Sequence, residues 1–281
     1  MRVAILLTCF NRKQQTLSCL ENAYSSLEIL NRYEFDFYLV DDGSTDGTFE
    51  AVSKSYPEVN IITGNGDLYW NRGMRLAWEQ ASLNKKYDFY IWLNDDLELS
   101  KDSFSTLFSD YESLTNKCSI LSGICISKDN TVSYGGYLLS DKKRIIPNGI
   151  VQECDYFNGN LVLIPKSVYD KVGYLDNIYH HGKGDFDYGL RARYKCIKSF
   201  VTSKSVGSCD RHSELPVWCN KEFSLLYRIK NMYSPLGIEP FRTFVFEKRH
   251  FGFIKASCHL FTIHMRVLFP SIWVYLKKDL I

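Results

Sequence analysis

The sequence predicts an α/β protein, a mostly parallel sheet flanked by helices and followed by a helical C-terminal extension. Three observations predict it. Up to Leu93, short continuous apolar runs alternate with segments whose apolar residues recur at helical spacing. Each apolar run ends in a polar cluster, which puts four such clusters at one edge of the sheet. From Phe241 onward the chain becomes aromatic and basic.

The elements follow in order. Val3–Leu7 is an unbroken apolar run, as a strand buried on both faces of a parallel sheet requires. Thr16–Leu30 places Leu17, Leu20, Ala23, Tyr24 and Leu27 on one helical face. Phe35–Val40 is the second strand and runs into "DDGSTDGT". Thr48–Tyr56 is a helix with Asp46 or Thr48 near its cap, Val59–Thr63 a third strand, Asn71–Ala81 a helix and Tyr87–Leu93 a fourth strand. Thr8–Arg12, Asp41–Asp46, Gly64–Asp67 and Asn94–Asp96 are the four polar loops, and their shared address makes them one site. The next part is less regular. "SYGGYLL" and "FNGNLVLIPKSVYDKVG" read as strands and turns, with a helix from Lys166 or Ser167. "HHGKGDFDYGLRARYK" then carries Asp185 and Asp187 ahead of a basic helix.

With 281 residues, 45% of them hydrophobic, the chain can bury a full core in one or two domains. The formal net charge of +2 hides an asymmetry. Residues 195–281 hold 14 Lys/Arg against 6 Asp/Glu, which leaves 20 against 26 (34 less 14, 32 less 6) for the rest. The basic C-terminal part therefore points to an anionic partner. Nine cysteines, odd in number and without a CxxC pair, exclude a zinc ribbon and fit reduced thiols in a cytoplasm. The N-terminal apolar run is too short for a signal peptide and reads as the first strand.

The chemistry concentrates in the carboxylates. Asp95 and Asp96 stand side by side at the end of a buried strand. They are either a solvated turn or a site for a hard divalent cation, which takes carboxylate oxygens and leaves positions for a substrate's phosphates. So sparse an oxygen set suits Mg²⁺ or Mn²⁺ on a pyrophosphate. "DDGSTDGTFE" lacks the spacing of an EF-hand calcium loop. Asp185 has the chemistry of a general base toward a hydroxyl, and Asp187 that of a residue complementing a helix dipole. Arg191, Arg193 and Lys195 are candidates for holding anions. Neither a G-x-x-x-x-G-K-[ST] loop nor a G-x-G-x-x-G turn is present, which disfavours P-loop and dinucleotide enzymes. Tyr69 and Trp70 follow a glycine-rich turn; their faces suit a sugar or a base, and Trp70 equally suits packing on the next helix.

These residues together resemble the inverting glycosyltransferases of family 2. The resemblance is carried by "LLTCFNR" (Leu6–Arg12), "LVDDGSTDGT" (Leu39–Thr48), "NRGMRLA" (Asn71–Ala77), "LNDDLEL" (Leu93–Leu99) and "GDFDYGLRAR" (Gly184–Arg193), in family order. It implies a GT-A fold, with a Rossmann-like, mostly parallel central sheet. It also implies a catalytic domain over 1–215, divided into a nucleotide-binding half (1–97) and an acceptor-binding half (98–215). Residues 216–281 form the separate basic, aromatic region.

The resemblance assigns roles to particular residues. Thr8 lines the nucleoside pocket, and Asp42 accepts from a pyrimidine N–H. Asn71 and Gly73 match the helix start near the nucleotide-sugar, and Asn11, Arg12, Asn65, Gly66, Asp67, Trp70 and Asp95 complete the donor-binding set. Asp96 is the direct ligand of Mn²⁺ or Mg²⁺, with His212 downstream as a second ligand or, alternatively, an ordinary surface or core histidine. Asp185 is the catalytic base. Two positions depart from the pattern. Asn94 stands where many members carry Asp, and Gly184 stands where a Glu usually precedes the base.

The implied reaction moves a sugar from a UDP- or dTDP-sugar to a hydroxyl of a glycan or a polyprenyl-diphosphate-linked glycan. Such transfer belongs to bacterial surface-polysaccharide synthesis, in the manner of a rhamnosyltransferase. Lys248, Arg249, Lys255, Arg266, Lys277 and Lys278 interrupt the apolar residues after Phe241, so no membrane span fits. A basic amphipathic helix lying in an interface does fit, which places the protein in the cytoplasm at the inner face of the membrane. Packing across the catalytic domain and a homodimer interface are the other uses open to this region. The rival readings are a sugar-1-phosphate nucleotidylyltransferase and a glycan- or nucleotide-sugar-binding protein without activity. "TCFNRKQQ" has no glycine for the first, and the presence of both Asp96 and Asp185 disfavours the second. Acidic loops at the site argue against nucleic acid.

Overall fold

The computed structural model describes residues 1–210 and 215–276. Their described parts form two compact units, one within Met1–Asn177 and Gly184–Arg211, the other within Ile178–Lys183 and His212–Ile281.

The first unit opens with the expected alternation. It runs β1 (Arg2–Cys9), α1 (Lys13–Leu27), β2 (Glu34–Asp41), α2 (Thr48–Ser55), β3 (Asn60–Thr63), α3 (Tyr69–Asn84) and β4 (Phe89–Leu93). These four strands are mutually parallel, in the order β3-β2-β1-β4. Helix α1 begins three residues before the expected Thr16. The cause is remote in sequence: Asp46 accepts from the Lys13 N–H (3.0 Å) and, with its other oxygen, from the Thr48 N–H (3.1 Å) and hydroxyl. One carboxylate thus serves the starts of both α1 and α2, and these bonds hold its pKa below the usual value.

The alternation then breaks. The chain continues as β5 (Glu98–Leu99), α4 (Ser103–Ser113), β6 (Ile120–Ile126), β7 (Val132–Tyr134), β8 (Gly136–Tyr137), β9 (Gln152–Cys154), β10 (Tyr156–Phe157), β11 (Leu161–Pro165), α5 (Lys166–Val172), α6 (Gly184–Tyr194) and β12 (Ser199–Ser208). Strand β11 inserts antiparallel between β4 and β6, and β12 runs parallel to β6. Strands β8 and β10 pair apart from the main sheet. Both faces of the sheet are covered, which is why β1 and β4 read as solid apolar runs. Val3, Ile5 and Leu7 pack with Leu20, Ala23 and Leu107, whereas Ala4, Leu6 and Trp92 pack with Met74, Trp78 and Tyr188.

The second unit is helical, with α7 (Leu225–Tyr233), α8 (Pro240–Phe251), α9 (Phe253–Leu268) and α10 (Pro270–Leu276). Gly252, at φ +93°, separates α8 from α9, and Pro270 opens α10. A small core joins Trp218, Cys219, Met232, Ile263 and Val267. Tyr179 is fully buried and packs edge-on to Phe246, and Glu239 takes both His180 Nδ1 (2.7 Å) and an N–H of Arg242 (2.6 Å). Among the described residues no helix is long and apolar enough to cross a membrane.

Candidate active site

Parallel register brings the first three strand ends level. Cys9 faces Asp41, and Asp41 faces Thr63. The loops beyond them are tied together by polar side chains. Asp42 is buried, and its carboxylate accepts from the backbone N–H groups of Gly66 (2.9 Å), Leu68 (2.9 Å) and Tyr69 (3.0 Å). Gly64 lies so close that a Cβ there would come within 2.5 Å of that carboxylate. The Asn11 side-chain oxygen Oδ1 accepts from Thr45 N–H (2.8 Å), and Asn11 N–H donates to the Ser44 hydroxyl (2.9 Å). Asn11 and Asp42 therefore fasten the loops to one another. Asn65 accepts from Asp67 N–H (3.1 Å), which shapes the exposed tip of the same loop. Gly73 in α3 has no room for a Cβ because the Thr8 side chain lies against it.

The acidic pair sits one strand over. Asp95 is buried and Asp96 is exposed. Arg12 bridges them, donating through Nη1 to Asp95 Oδ1 and Asp96 Oδ2, each at 3.0 Å. The Thr16 hydroxyl approaches Asp95 from the other side at 3.4 Å. Burial raises the Asp95 pKa to about 6, against the Arg12 charge that lowers it, with Asp96 adding a further rise. Cys209 Sγ lies 3.9 Å from Asp96 Oδ1, and burial followed by the Asp96 charge pushes its pKa up to about 12, so it is a thiol. Asn94 is held elsewhere. Its side-chain oxygen accepts from Trp70 Nε1 at 2.6 Å.

Trp70 leads on to Asp185. A Cβ built at Gly159 would stand 2.6 Å from the Trp70 ring and 3.3 Å from Asp185 Cβ, so this glycine lets the two approach. The Gly159 N–H donates to Asp185 Oδ2 (3.0 Å), and the Phe186 N–H donates to Oδ1 (2.8 Å). Asp185 lies in the first turn of α6, where the helix dipole favours its charge. Gly184 is explained by Asn71: a Cβ at 184 would overlap the Asn71 amide, which donates to the Asp176 carbonyl at 2.8 Å. No Glu fits there with Asn71 so placed.

Some expected residues do other work. Asp187 is fully buried and accepts from Arg191 Nε (2.7 Å) within its own helix. Arg191, Arg193 and Lys195, the candidates for holding anions, each have partners within the protein. Arg191 donates to the carbonyls of Val172 and Tyr174, Arg193 pairs with Asp155 (2.9 Å), and Lys195 donates to the Lys171 carbonyl (2.6 Å). His212 lies outside the described residues. Sequence reasoning missed Thr16, Cys209 and Gly159, which carry no motif and reach the site only through the fold. Among the described residues no three His, Cys, Asp or Glu side chains converge as metal ligands. Asp96 nonetheless fits a hard cation: it is an exposed carboxylate beside Asp95, and Arg12 takes only its Oδ2, so that a cation there would share the pair with the guanidinium.

A Rossmann-like parallel half with an acidic pair at its edge, extended by a mixed half with a carboxylate on a helix start, defines the GT-A glycosyltransferase architecture. The chain belongs to glycosyl transferase family 2, whose model matches residues 4–173. Asp185 lies beyond that match. Among solved structures, S. aureus TarS 1-349 is similar at 15% identity and a TM-score of 0.55, over 90% of this chain and 72% of that one. The mannosyltransferase PcManGT from Pyrobaculum calidifontis, in complex with GDP-Man and Mn²⁺, is similar at 13% identity and a TM-score of 0.56. That likeness covers 99% of this chain and 75% of that one. TarS 1-349 in complex with UDP-GlcNAc has the same likeness, at 15% identity and a TM-score of 0.55, over 90% of this chain and 73% of that one. No curated protein sequence matches the chain.

Proposed function

We propose that this protein is a metal-dependent, inverting glycosyltransferase that uses a UDP- or dTDP-sugar donor. Its acceptor is a hydroxyl of a glycan or lipid-linked glycan, in surface-polysaccharide synthesis. The observation that carries the reading is the pair Asp95 and Asp96 at the end of β4, linked through Asn94, Trp70 and Gly159 to the carboxylate of Asp185. Asp96 would hold Mn²⁺ or Mg²⁺, which would supply charge neutralisation for a diphosphate leaving group. Asp185, fixed by two backbone N–H groups, takes the proton of the acceptor hydroxyl. The acceptor oxygen bonds to the anomeric carbon as the bond to the diphosphate breaks, and the nucleoside diphosphate leaves from the opposite face. Thr8, which packs against Gly73, and Asp42, which holds the 66–69 loop, are the residues assigned to the donor's nucleoside. The similarity to proteins solved with UDP-GlcNAc and GDP-Man supports a nucleotide-sugar donor.

Melting temperature with a panel of UDP-, dTDP- and GDP-sugars, with and without Mn²⁺, tests the donor. A metal-dependent rise with one nucleotide supports the reading and names the base. No rise with any of them overturns it. Asp185→Asn is expected to abolish transfer and keep that rise; full transfer by the variant removes Asp185 from its role. If no acceptor glycan is modified while the rise persists, the protein is a nucleotide-sugar binder.

For the second unit we propose contact with an anionic lipid surface. Along α9, Ile254, Cys258, Phe261, Met265 and Leu268 are all exposed and recur every three or four residues. Lys248, Arg249 and Lys255 are exposed on the same unit. Apolar side chains beside basic ones match the boundary of acidic headgroups and acyl chains. Lys277 and Lys278 lie outside the described residues. The chain is expected to float with phosphatidylglycerol vesicles and not with phosphatidylcholine ones, and Phe261→Asp is expected to abolish flotation. A chain that ignores both vesicles and sediments as a dimer would assign the stripe to a second copy instead.

A further inference from the structure

We infer that the sugar ring of the acceptor is received on an aromatic platform formed by Tyr137, Tyr156 and Phe186, with Arg144 taking an anionic group on that acceptor. The inference rests on the transferase reading and names the acceptor side of the same site. Tyr137 and Tyr156 face each other across the β8–β10 pair and stack, with ring centroids 5.0 Å apart and planes 5° from parallel. Phe186 stands edge-on to both, at 5.6 Å and 5.0 Å. Phe186 follows Asp185 and donates its N–H to that carboxylate, so the platform begins at the proposed base.

These rings are partly exposed. That separates them from the aromatic cluster of Trp78, Trp92 and Tyr188, which is fully buried and serves the core. Tyr137 is covered by Tyr156 and by Arg144, so the partly exposed rings of Tyr156 and Phe186 offer the contact, and aromatic surface beside the proposed base suits the apolar face of a pyranose. Arg144 supplies the charge. Its Nε donates to the Tyr137 hydroxyl (2.7 Å), and its guanidinium carbon sits 5.3 Å from the Tyr137 ring centroid. Among the described residues its two Nη groups meet no acceptor, so a fork of N–H donors remains for a carboxylate or phosphate. The nearby carboxylate of Asp155 is already paired with Arg193 and bonded by the Leu139 N–H. The ligand class is therefore a saccharide carrying a negative charge close to the ring that accepts transfer.

Saturation-transfer NMR tests this with three small probes, in the presence of Mn²⁺ and the nucleotide that raises the melting temperature. The probes are glucuronic acid, N-acetylglucosamine 1-phosphate and neutral N-acetylglucosamine. Transfer to the ring protons of an acidic sugar is expected to exceed that to the neutral one. A preference for the 1-phosphate identifies a phosphate-linked acceptor, and a preference for the uronic acid identifies an acidic glycan. Tyr156→Ala is expected to weaken the signal roughly fivefold or more, and Tyr156→Phe to keep it. Arg144→Gln, at a partly exposed position, is expected to erase the preference for charge. Signals unchanged in Tyr156→Ala and Arg144→Gln overturn the subsite, as does their loss in Tyr156→Phe. The nucleotide-induced rise in melting temperature, retained in each variant, shows that the donor side is folded. If wild-type protein itself shows no such rise, the transferase reading falls first and the subsite with it.

Discussion

Asp95 is held in a charged state against the pull of its surroundings. Burial drives its pKa to about 6, above the ordinary 3.8, although Arg12 lies 3.0 Å away. A carboxyl whose pKa is raised on folding binds its proton more tightly in the folded chain. Stability is therefore lost as pH rises from about 4 to about 6 and stays lower above that window. The shift sets this loss at up to about 3 kcal/mol. Urea unfolding at pH 4.5 and pH 7 is expected to show a larger fall for wild type than for Asp95→Asn; equal falls would remove the burial argument. Gly184 gives a second prediction at this scale. Restoring the Glu that family members usually carry places a Cβ on the Asn71 amide. Gly184→Glu is expected to lower stability by about 1–3 kcal/mol, as overpacking does, and to reduce transfer. An unchanged melting temperature would show that Asn71 yields freely. The acidic pair and Asp185 were legible because their residue types sit in a recognisable order. Why Asn94 and Gly184 break that order was not. The reasons are Trp70 and Asn71, which only the fold brings beside them.

Asp42 acts on a whole loop. It gathers three N–H groups of residues 66–69, so its carboxylate fixes the start of α3 as well as the end of β2. Asp42→Asn turns an NH₂ toward at least one of these donors and leaves a buried group without its partner. A loss of about 1–3 kcal/mol is expected, with faster amide hydrogen exchange at Gly66, Leu68 and Tyr69. Exchange unchanged at those three amides would show that the loop does not depend on Asp42. At this scale the β1–β4 half was legible, because strands buried on both faces leave unbroken apolar runs and the helices between them keep their spacing. Past β4 the signal fails for a physical reason. Strands β5, β8 and β10 have two residues each, too few to display a period, and the antiparallel insertion of β11 depends on pairing with β4 across the chain. The start of α1 was equally hidden, since its cap comes from Asp46, 33 residues away. In the C-terminal region one amphipathic helix was expected from Phe241 onward, and Gly252 and Pro270 divide it into three.

The second unit includes a segment of chain from within the span of the first, and that bears on whether the first stands alone. Residues 178–183 leave the first unit between α5 and α6 and pack within the second. There Tyr179 is fully buried beside Phe246, His180 meets Glu239, and Arg242 donates to the Ile178 carbonyl (2.6 Å). We propose residue 215 as the limit of the catalytic domain, as the sequence suggested. A chain ending there keeps this segment without its packing. Its Tyr179 ring returns to water, at a cost of about 1.5–3 kcal/mol for a large apolar side chain, just upstream of the helix that carries Asp185. The 1–215 fragment is expected to melt below the full chain, bind a hydrophobic dye and aggregate at lower concentration, and Tyr179→Ser within it to recover solubility. Should the unaltered fragment match the full chain in melting and dye binding, the first unit needs nothing from the second. The basic helices would then serve only for what they touch outside the chain. A destabilised fragment that Tyr179→Ser rescues would instead mean that the second unit covers the 178–183 segment as part of the fold and presents its exposed stripe as well.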